Sequence, residues 1–293
     1  MGEHIYIYKM PKYIVRIFSN FCDSAECKNK YEGIDEAFLE ANYGTTKDIY
    51  ITDKDDYTHA IILNVAMPIL KKIPKENVIG LAFEPPQFLG MQNAFMHYVQ
   101  RNIGKYFIGQ AYGLRAPFVE YQGYMWHTPP LETVPSKPNL MSIMVSQKTQ
   151  APGHKYRHEL VSRILASNLP IDILGRGCKY YKPDPRLKGE FNYLEPYLYY
   201  QFHIAIENFQ LNHYYSEKIM DPLFCETTPI YLGCNNIDNY FPGMVIKLSG
   251  DIEKDFALLG DILKHPETYR KHIDIAAVKK TTSLVKNIPN LFG

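Results

Sequence analysis

Short apolar runs rich in β-branched residues recur along the chain and alternate with segments of helical periodicity. Most of these runs are continuous rather than alternating, which is typical of strands covered on both faces in the parallel sheets of α/β proteins. Helical patterns lie between them, notably at residues 154–167 and 216–226. The sequence therefore predicts a doubly wound α/β fold. The predicted strands are residues 13–18, 48–52, 78–83, 105–108, 142–145, 171–174, 203–206, 229–232 and 245–248.

A proline-rich segment divides the chain into two halves. Residues 128–139 read TPPLETVPSKPN and show little periodicity, which indicates a linker. Each half is close to the usual size of a domain. We therefore predict an N-terminal α/β domain over residues 1–135 and a C-terminal α/β domain over residues 136–293. Ligands of such open sheets bind at the carboxyl ends of the strands, so motifs that follow strands are the candidates for function.

Composition and charge exclude several classes of protein. The formal net charge of the 293 residues is +1, so no strong attraction to nucleic acid or anionic membranes is expected. The longest apolar stretch, residues 60–70, falls short of the roughly 20 residues that span a bilayer. The N-terminus lacks the pattern of a signal peptide. Five cysteines without a CxxC pair favour reduced thiols. We therefore expect a soluble, cytoplasmic protein with no nucleic-acid partner and no membrane span.

The strongest chemical signal is a strand that ends in a polar pair and is followed by the start of a helix. From Tyr200 the chain reads YQFHIAIEN, and six residues after Asn208 the segment YYSEK opens a helix. Ser216 is a suitable N-cap and Glu217 an anion suited to the first turn. A helix N-terminus beside Lys218 can bind a diphosphate and stabilise the charge that develops on it. The alternative is an ordinary solvated helix start after a strand-end turn, and the residues alone do not decide between them.

The segment FHIAIENF…YYSEKIMDPLFCETTPIYLG resembles the donor-binding signature of the α-1,3/4-fucosyltransferases, glycosyltransferase family 10. In that signature a Y-K-F-x-x-x-F-E-N strand precedes D-Y-x-T-E-K and then P-V/I-x-x-G. The resemblance implies that Asn208, Tyr214, Glu217 and Lys218 bind the donor, with Glu217 on ribose or sugar hydroxyls and Lys218 on the phosphates. Ser216 replaces the usual Thr and keeps its hydroxyl, so it is included among the donor-binding candidates.

A second segment is similar to the family's phosphate clamp. The family has a strand ending in S-x-K, and then an Arg that opens a helix and clamps the donor pyrophosphate. Here MSIMVSQK precedes APGHKYR, and the aligned position falls near His154. The resemblance therefore implies donor binding by His154, Lys155 or Arg157. A guanidinium binds phosphate better than an ammonium. The alternative is that Lys155 and Arg157 lie on the solvated face of the helix.

The candidate catalytic base is Glu84, which follows a predicted strand in the first half. The segment EPPQ resembles the family's E-S-P segment at the end of an N-domain strand. An inverting transferase needs a base that takes the proton of the acceptor hydroxyl, and a carboxylate at this position suits that role. The alternative is a turn carboxylate ahead of two prolines. Trp126 and His127 follow later and either contact a sugar or pack a domain edge.

Asp53, Lys54, Asp55 and Asp56 follow another predicted strand in the first half. A D-x-D sequence after a strand is the metal and nucleotide motif of the other large glycosyltransferase fold. Acidic turn residues are the alternative explanation, and the donor signature lies in a different half of the chain. We therefore favour the turn interpretation and assign no metal site.

The resemblance implies a GT-B fold, in which two Rossmann-like domains face each other across a cleft, with the acceptor side in residues 1–135 and the donor in residues 136–293. It implies an inverting glycosyltransferase that moves L-fucose from GDP-fucose to a glycan hydroxyl without a metal cofactor. Two alternatives remain open at this stage. One is the same scaffold with a different nucleotide-sugar, and the other is a catalytically silent nucleotide- or glycan-binding module. The acceptor and the oligomeric state are not specified.

Overall fold

The computed structural model describes residues 11–35 and 48–293. The chain forms two compact units. The first unit comprises the chain up to Trp126 together with Thr282–Gly293, and the second comprises His127–Thr281. Each unit is built on one parallel β-sheet, as the continuous apolar runs predict.

The boundaries of these units differ from the predicted domains, 1–135 and 136–293. The backbone N–H of Thr128 donates to the buried Asp221 carboxylate at 2.7 Å, which fixes the start of the proline-rich segment to the second unit. The last helix, Leu284–Phe292, buries its apolar side chains in the core of the first unit. Amphipathic periodicity predicts such a helix but does not say which sheet it covers.

The sheet of the first unit has six strands in the order β2-β1-β3-β4-β5-β6, and each neighbouring pair is parallel. Apolar side chains fill the core on both of its faces. Among the described residues, the strands are β1 (Tyr13–Phe18), β2 (Ile49–Thr52), β3 (His59–Leu63), β4 (Val78–Leu81), β5 (Lys105–Ile108) and β6 (Phe118–Glu120). The helices are α1 (Ser24–Ile34), α2 (Pro86–Leu89), α3 (Asn93–Asn102) and the C-terminal α10 (Leu284–Phe292).

The sheet of the second unit also has six parallel strands, in the order β12-β11-β10-β7-β8-β9. The strands are β7 (Asn139–Met144), β8 (Ile171–Leu174), β9 (Leu187–Gly189), β10 (Tyr200–Ile206), β11 (Thr228–Leu232) and β12 (Ile246–Lys247). The helices are α4 (Pro152–Leu165), α5 (Glu195–Leu198), α6 (Glu217–Phe224), α7 (Ile252–Lys264), α8 (Pro266–Tyr269) and α9 (Ile275–Thr282).

Counted from β7, the strand order of the second sheet is 3-2-1-4-5-6, the Rossmann order. The chain therefore winds outward from β7 in one direction and from β10 in the other. The two central strands leave a crevice at their carboxyl ends, because their connections diverge there. This point of the sheet is where a ligand is expected.

Strand prediction is accurate for the buried central strands and incomplete elsewhere. Every predicted strand overlaps an observed one, and β1 and β8 have the predicted bounds. Three observed strands, β3, β6 and β9, are absent from the prediction. β3 lies inside the continuous apolar stretch 60–70, where periodicity does not distinguish strand from helix. β6 and β9 have three residues each, so they are too short to produce a pattern.

Candidate functional site

A pocket of about 470 Å³ lies at the crevice between β7 and β10 in the second unit. Its walls come from the residues that follow β7, from the carboxyl end of β10, and from the first turns of α4 and α6. Six charged side chains line it, namely Lys148, Arg157, Arg176, Glu190, Glu217 and Lys218. A charged pocket at the switch point of a Rossmann sheet is suited to a nucleotide.

The start of α4 is held close to the end of β10. The N–H of Gly153 donates to the carbonyl of Asn208 at 3.0 Å. A Cβ at Gly153 would lie 1.8 Å from the carbonyl oxygen of Glu207, so only glycine permits this approach. His154 caps the helix, since its Nδ1 accepts the N–H of Ala151 at 3.2 Å. The close approach brings the first turn of α4 to the edge of the pocket.

Arg157, one turn further along α4, reaches the pocket. Its side chain is buried, and one guanidinium nitrogen donates to the carbonyl of Ile206 at the end of β10. Burial lowers the pKa of Arg157, and the carboxylates of Glu207 and Glu217 oppose that shift. An arginine remains protonated in proteins, so this group is a fixed cation at the rim of the crevice.

A buried carboxylate organises the start of α6. Glu207 is 1% exposed, and its Oε1 accepts the backbone N–H of Ser216 at 2.8 Å. The Ser216 hydroxyl lies 2.9 and 2.7 Å from the two Glu207 oxygens. Burial raises the pKa of Glu207, while the nearby Lys218 ammonium acts to lower it. Ser216 is the N-cap of α6, as predicted, and its hydroxyl oxygen accepts the N–H of Lys218 at 3.3 Å.

Lys218 lines the pocket from the first turn of α6. Its side chain is 20% exposed, and its Nζ lies 2.9 Å from Glu217 Oε1 and 3.7 Å from Glu207 Oε2. Burial acts to lower the pKa of Lys218, but the two carboxylates outweigh it and the pKa is raised. Lys218 is therefore a cation at neutral pH, and an anionic ligand can reach it through the open side of the pocket.

The structure brings together three of the residues predicted for donor binding, since Arg157, Glu217 and Lys218 all line the pocket. Asn208, Tyr214 and Ser216 lie on the adjoining strand end and loop, where Asn208 and Ser216 make the backbone contacts described above. His154 is used as a helix cap. Lys155 is exposed and is not among the residues that line this pocket. The burial pattern of α4 thus separates Arg157 from Lys155, which sequence alone leaves equivalent.

Sequence reasoning did not assign several residues of this site. Glu207 is adjacent to a predicted residue, and its burial at the end of an apolar strand is the signal that identifies it. Arg176 and Glu190 form an exposed ion pair at the pocket edge, with 3.3 Å between Nε and Oε2. His203 lies within an apolar strand and lines the pocket, although a lone histidine in such a run carries no functional signal.

Glu84 lies in a separate pocket of about 430 Å³ in the first unit. This pocket is at the carboxyl ends of β1, β3 and β4, and Asn20 and Asn64 also line it. Asn64 Oδ1 accepts the N–H of Phe83 at 2.8 Å, which fixes the backbone next to Glu84. Glu84 is half-buried, directly before the two prolines that begin α2. The predicted position at a sheet edge is therefore observed.

The remaining candidates have structural contacts. The Trp126 ring packs edge-on against Phe83 with centroids 5.9 Å apart, and His127 stacks on Phe224 with centroids 4.6 Å apart. Asp56 accepts the Thr52 hydroxyl at 2.7 Å in an exposed turn. These contacts agree with the packing and turn interpretations. In the part of the chain that the structure describes, no group of three or more His, Cys, Asp or Glu side chains is placed to hold a metal ion.

Comparison with known proteins identifies the class. The chain is similar to a crystal structure of an α1,3-fucosyltransferase, with 13% identity over 100% of this chain and 92% of that chain and a TM-score of 0.56. A second α1,3-fucosyltransferase structure, with GDP, gives 13% identity over 92% and 83% of the two chains and a TM-score of 0.53. The TarM enzyme of S. aureus gives 8% identity over 80% and 55%, with a TM-score of 0.50. The two units therefore have the GT-B glycosyltransferase fold.

Residues 134–274 match the family model described as glycosyltransferase family 10 (fucosyltransferase), C-terminal domain. This part of the chain, which contains the whole charged pocket, belongs to that family, and the protein is a glycosyltransferase. The resemblance read from the donor signature is thus confirmed. No curated protein sequence matches the chain significantly. None of the helices in the described ranges has both the length and the apolar character needed to cross a bilayer.

Proposed function

We propose that this glycosyltransferase transfers L-fucose from GDP-fucose to a hydroxyl group of a glycan acceptor, with inversion at the anomeric carbon. The observation that carries the proposal is the pair of cations, Arg157 and Lys218, that line one pocket at the switch point of the family 10 segment. The family description supports fucose as the sugar, and the related solved structure with GDP supports guanosine diphosphate as the carrier.

In this proposal the donor diphosphate lies between the start of α4 and the start of α6. Arg157 replaces the family's clamp arginine, because it is a buried guanidinium that lines the pocket whereas Lys155 is exposed. Lys218 contacts the phosphates and Glu217 accepts hydrogen bonds from ribose or sugar hydroxyls. Asn208, Tyr214 and Ser216 hold the strand end and the loop that position these groups, and His154 holds the helix start.

The proposed reaction is a single displacement. The acceptor oxygen attacks the anomeric carbon while the bond from that carbon to the β-phosphate oxygen breaks. Glu84 takes the proton from the acceptor hydroxyl, and GDP leaves with the bonding electrons. Arg157 and Lys218 stabilise the negative charge that develops on the leaving diphosphate, which is the role that a metal ion has in other transferases.

A thermal-shift and calorimetric screen over GDP, UDP and CMP, with the corresponding nucleotide-sugars, tests the donor assignment. A ligand present at 100 times its Kd stabilises the folded state by roughly 2.7 kcal/mol, which is easily measured. We expect GDP species to raise the melting temperature and UDP and CMP species to leave it unchanged. Stabilisation by UDP or CMP species alone would assign the scaffold to a different nucleotide-sugar. Product analysis by NMR with GDP-fucose and a glycan mixture then gives the anomeric configuration.

A further inference from the structure

A buried histidine on the pocket floor has a ring nitrogen that the protein does not use. His203 lies on β10 directly opposite Ser142 on β7 and lines the pocket, although only 1% of the residue is exposed. The position falls on one of the unspecified residues of the family signature. The ring is held edge-on against Tyr197, with centroids 4.7 Å apart.

The hydrogen bonds on the other ring nitrogen fix the tautomer. The Ser142 hydroxyl donates to the Pro196 carbonyl at 2.6 Å and lies 2.8 Å from His203 Nδ1. A hydroxyl has one hydrogen, and a carbonyl can only accept. The hydroxyl hydrogen is therefore used on Pro196, so Nδ1 must carry a hydrogen and donate it to the Ser142 oxygen. In the neutral ring this leaves Nε2 with a lone pair.

The surroundings keep the ring neutral. Burial lowers the pKa of His203 to about 3, and the Arg157 guanidinium acts in the same direction. Nε2 makes no hydrogen bond to any residue in the described ranges, and it is not one of the polar atoms sealed inside the protein without a partner. A hydrogen-bond acceptor on a rigid strand therefore faces the open space of the pocket.

We infer that His203 Nε2 accepts a hydrogen bond from an O–H or N–H group of the bound nucleotide-sugar and so helps to select the ligand. The inference rests on the proposed function of the pocket. A phosphate that is fully ionised has no hydrogen to donate, so the partner belongs to the nucleoside or to the sugar. His203 precedes Ile206, the carbonyl partner of Arg157, by three residues, or about 10 Å along the strand. A ligand without a donor group here would leave a buried acceptor unpaired, which is how polar sites discriminate.

Calorimetric titration of two variants with GDP and with GDP-fucose tests this inference. His203→Phe keeps the ring size and removes the acceptor, and we expect it to weaken binding about 3- to 10-fold. His203→Gln can place an amide oxygen near the Nε2 position and should recover most of the affinity. The exposed His272→Phe is the control and should bind like wild type. A loss with both ligands assigns the partner to the nucleoside, and a loss with GDP-fucose alone assigns it to the sugar.

Nitrogen-15 NMR of the histidine rings gives a second test that does not depend on a variant that folds. We expect His203 in the wild type to show a protonated Nδ1 and an unprotonated Nε2, and the Nε2 resonance to shift when GDP-fucose binds. A protonated Nε2, or unchanged affinity of His203→Phe for both ligands, would overturn the inference while leaving the donor assignment intact. Wild type that binds neither ligand would instead refute the proposed function.

Discussion

Each of the two sheets carries a pocket at the carboxyl ends of its central strands, and the two pockets differ in charge. In the second unit the lining includes six charged side chains, organised around a buried carboxylate, Glu207. In the first unit Glu84 is the one charged side chain among the lining residues that the structure describes. A diphosphate needs fixed cations, whereas a neutral sugar hydroxyl needs only a base. The same architecture can thus be adapted to two kinds of ligand by the residues that follow its strands.

The largest expected effect breaks the chemistry of the first pocket and leaves the second unchanged. Glu84→Gln removes the proposed base, so we expect kcat to fall by a factor of about 10² to 10⁴ with GDP affinity unchanged. Steady-state kinetics and calorimetry measure the two quantities. Glu76→Gln, an exposed glutamate of the same unit, is the control and should retain full activity. Wild-type turnover in Glu84→Gln would remove Glu84 from the reaction.

The second prediction concerns the charge of the donor pocket. Lys218→Met keeps the length of the side chain and removes the ammonium, so we expect kcat to fall by about 10²- to 10³-fold because the leaving diphosphate loses a fixed counter-charge. Lys155→Met, an exposed lysine on α4, is the matched control and should lower activity less than about twofold. Equal losses in both variants would contradict the separation of pocket and solvent faces derived from burial.

The third prediction concerns the close approach that forms the donor pocket. Gly153→Ala places a methyl group against the Glu207 carbonyl, so α4 must move and we expect a loss of about 1–3 kcal/mol in the free energy of unfolding, with weaker GDP binding. Urea unfolding and calorimetry measure both. Gly33→Ala on α1 has open space around the new methyl and should stabilise the first unit by about 0.5–1 kcal/mol. A neutral effect of Gly153→Ala would show that the approach is not tight.

The fourth and smallest effect concerns Asp221, whose burial in α6 raises its pKa to about 7. The folded state therefore favours the neutral acid, and the wild type loses stability as the pH rises from about 4 through 7. Asp221→Asn keeps an oxygen for the Thr128 N–H and removes this cost. We expect it to be more stable than wild type by about 1–2 kcal/mol at pH 8, with a smaller gain at pH 5.

Urea unfolding at the two pH values measures this difference. Asp238→Asn, an exposed site in the same unit, should change the unfolding free energy by less than about 0.5 kcal/mol at either pH. A gain in Asp221→Asn that is constant or shrinks as the pH rises would contradict the assigned protonation of Asp221.

The fold class and the donor signature could be predicted from the sequence because both depend on local patterns. Continuous apolar runs predict buried parallel strands, and the order of polar residues after β10 identifies the family 10 segment. The unit boundaries were less accessible, since α10 has an amphipathic pattern that fits either sheet. Its packing on the first sheet depends on contacts that are distant in sequence.

The sequence by itself determined the residue types at the ends of the strands and the helix start at Ser216, because capping and periodicity act over a few residues. Only the tertiary structure decided that Arg157 and not Lys155 enters the pocket, that Glu207 is the buried carboxylate beneath Lys218, and that His203 presents a lone pair. Burial and tautomer depend on which atoms lie within about 3 Å in space, and the order of residues along the chain does not contain that information.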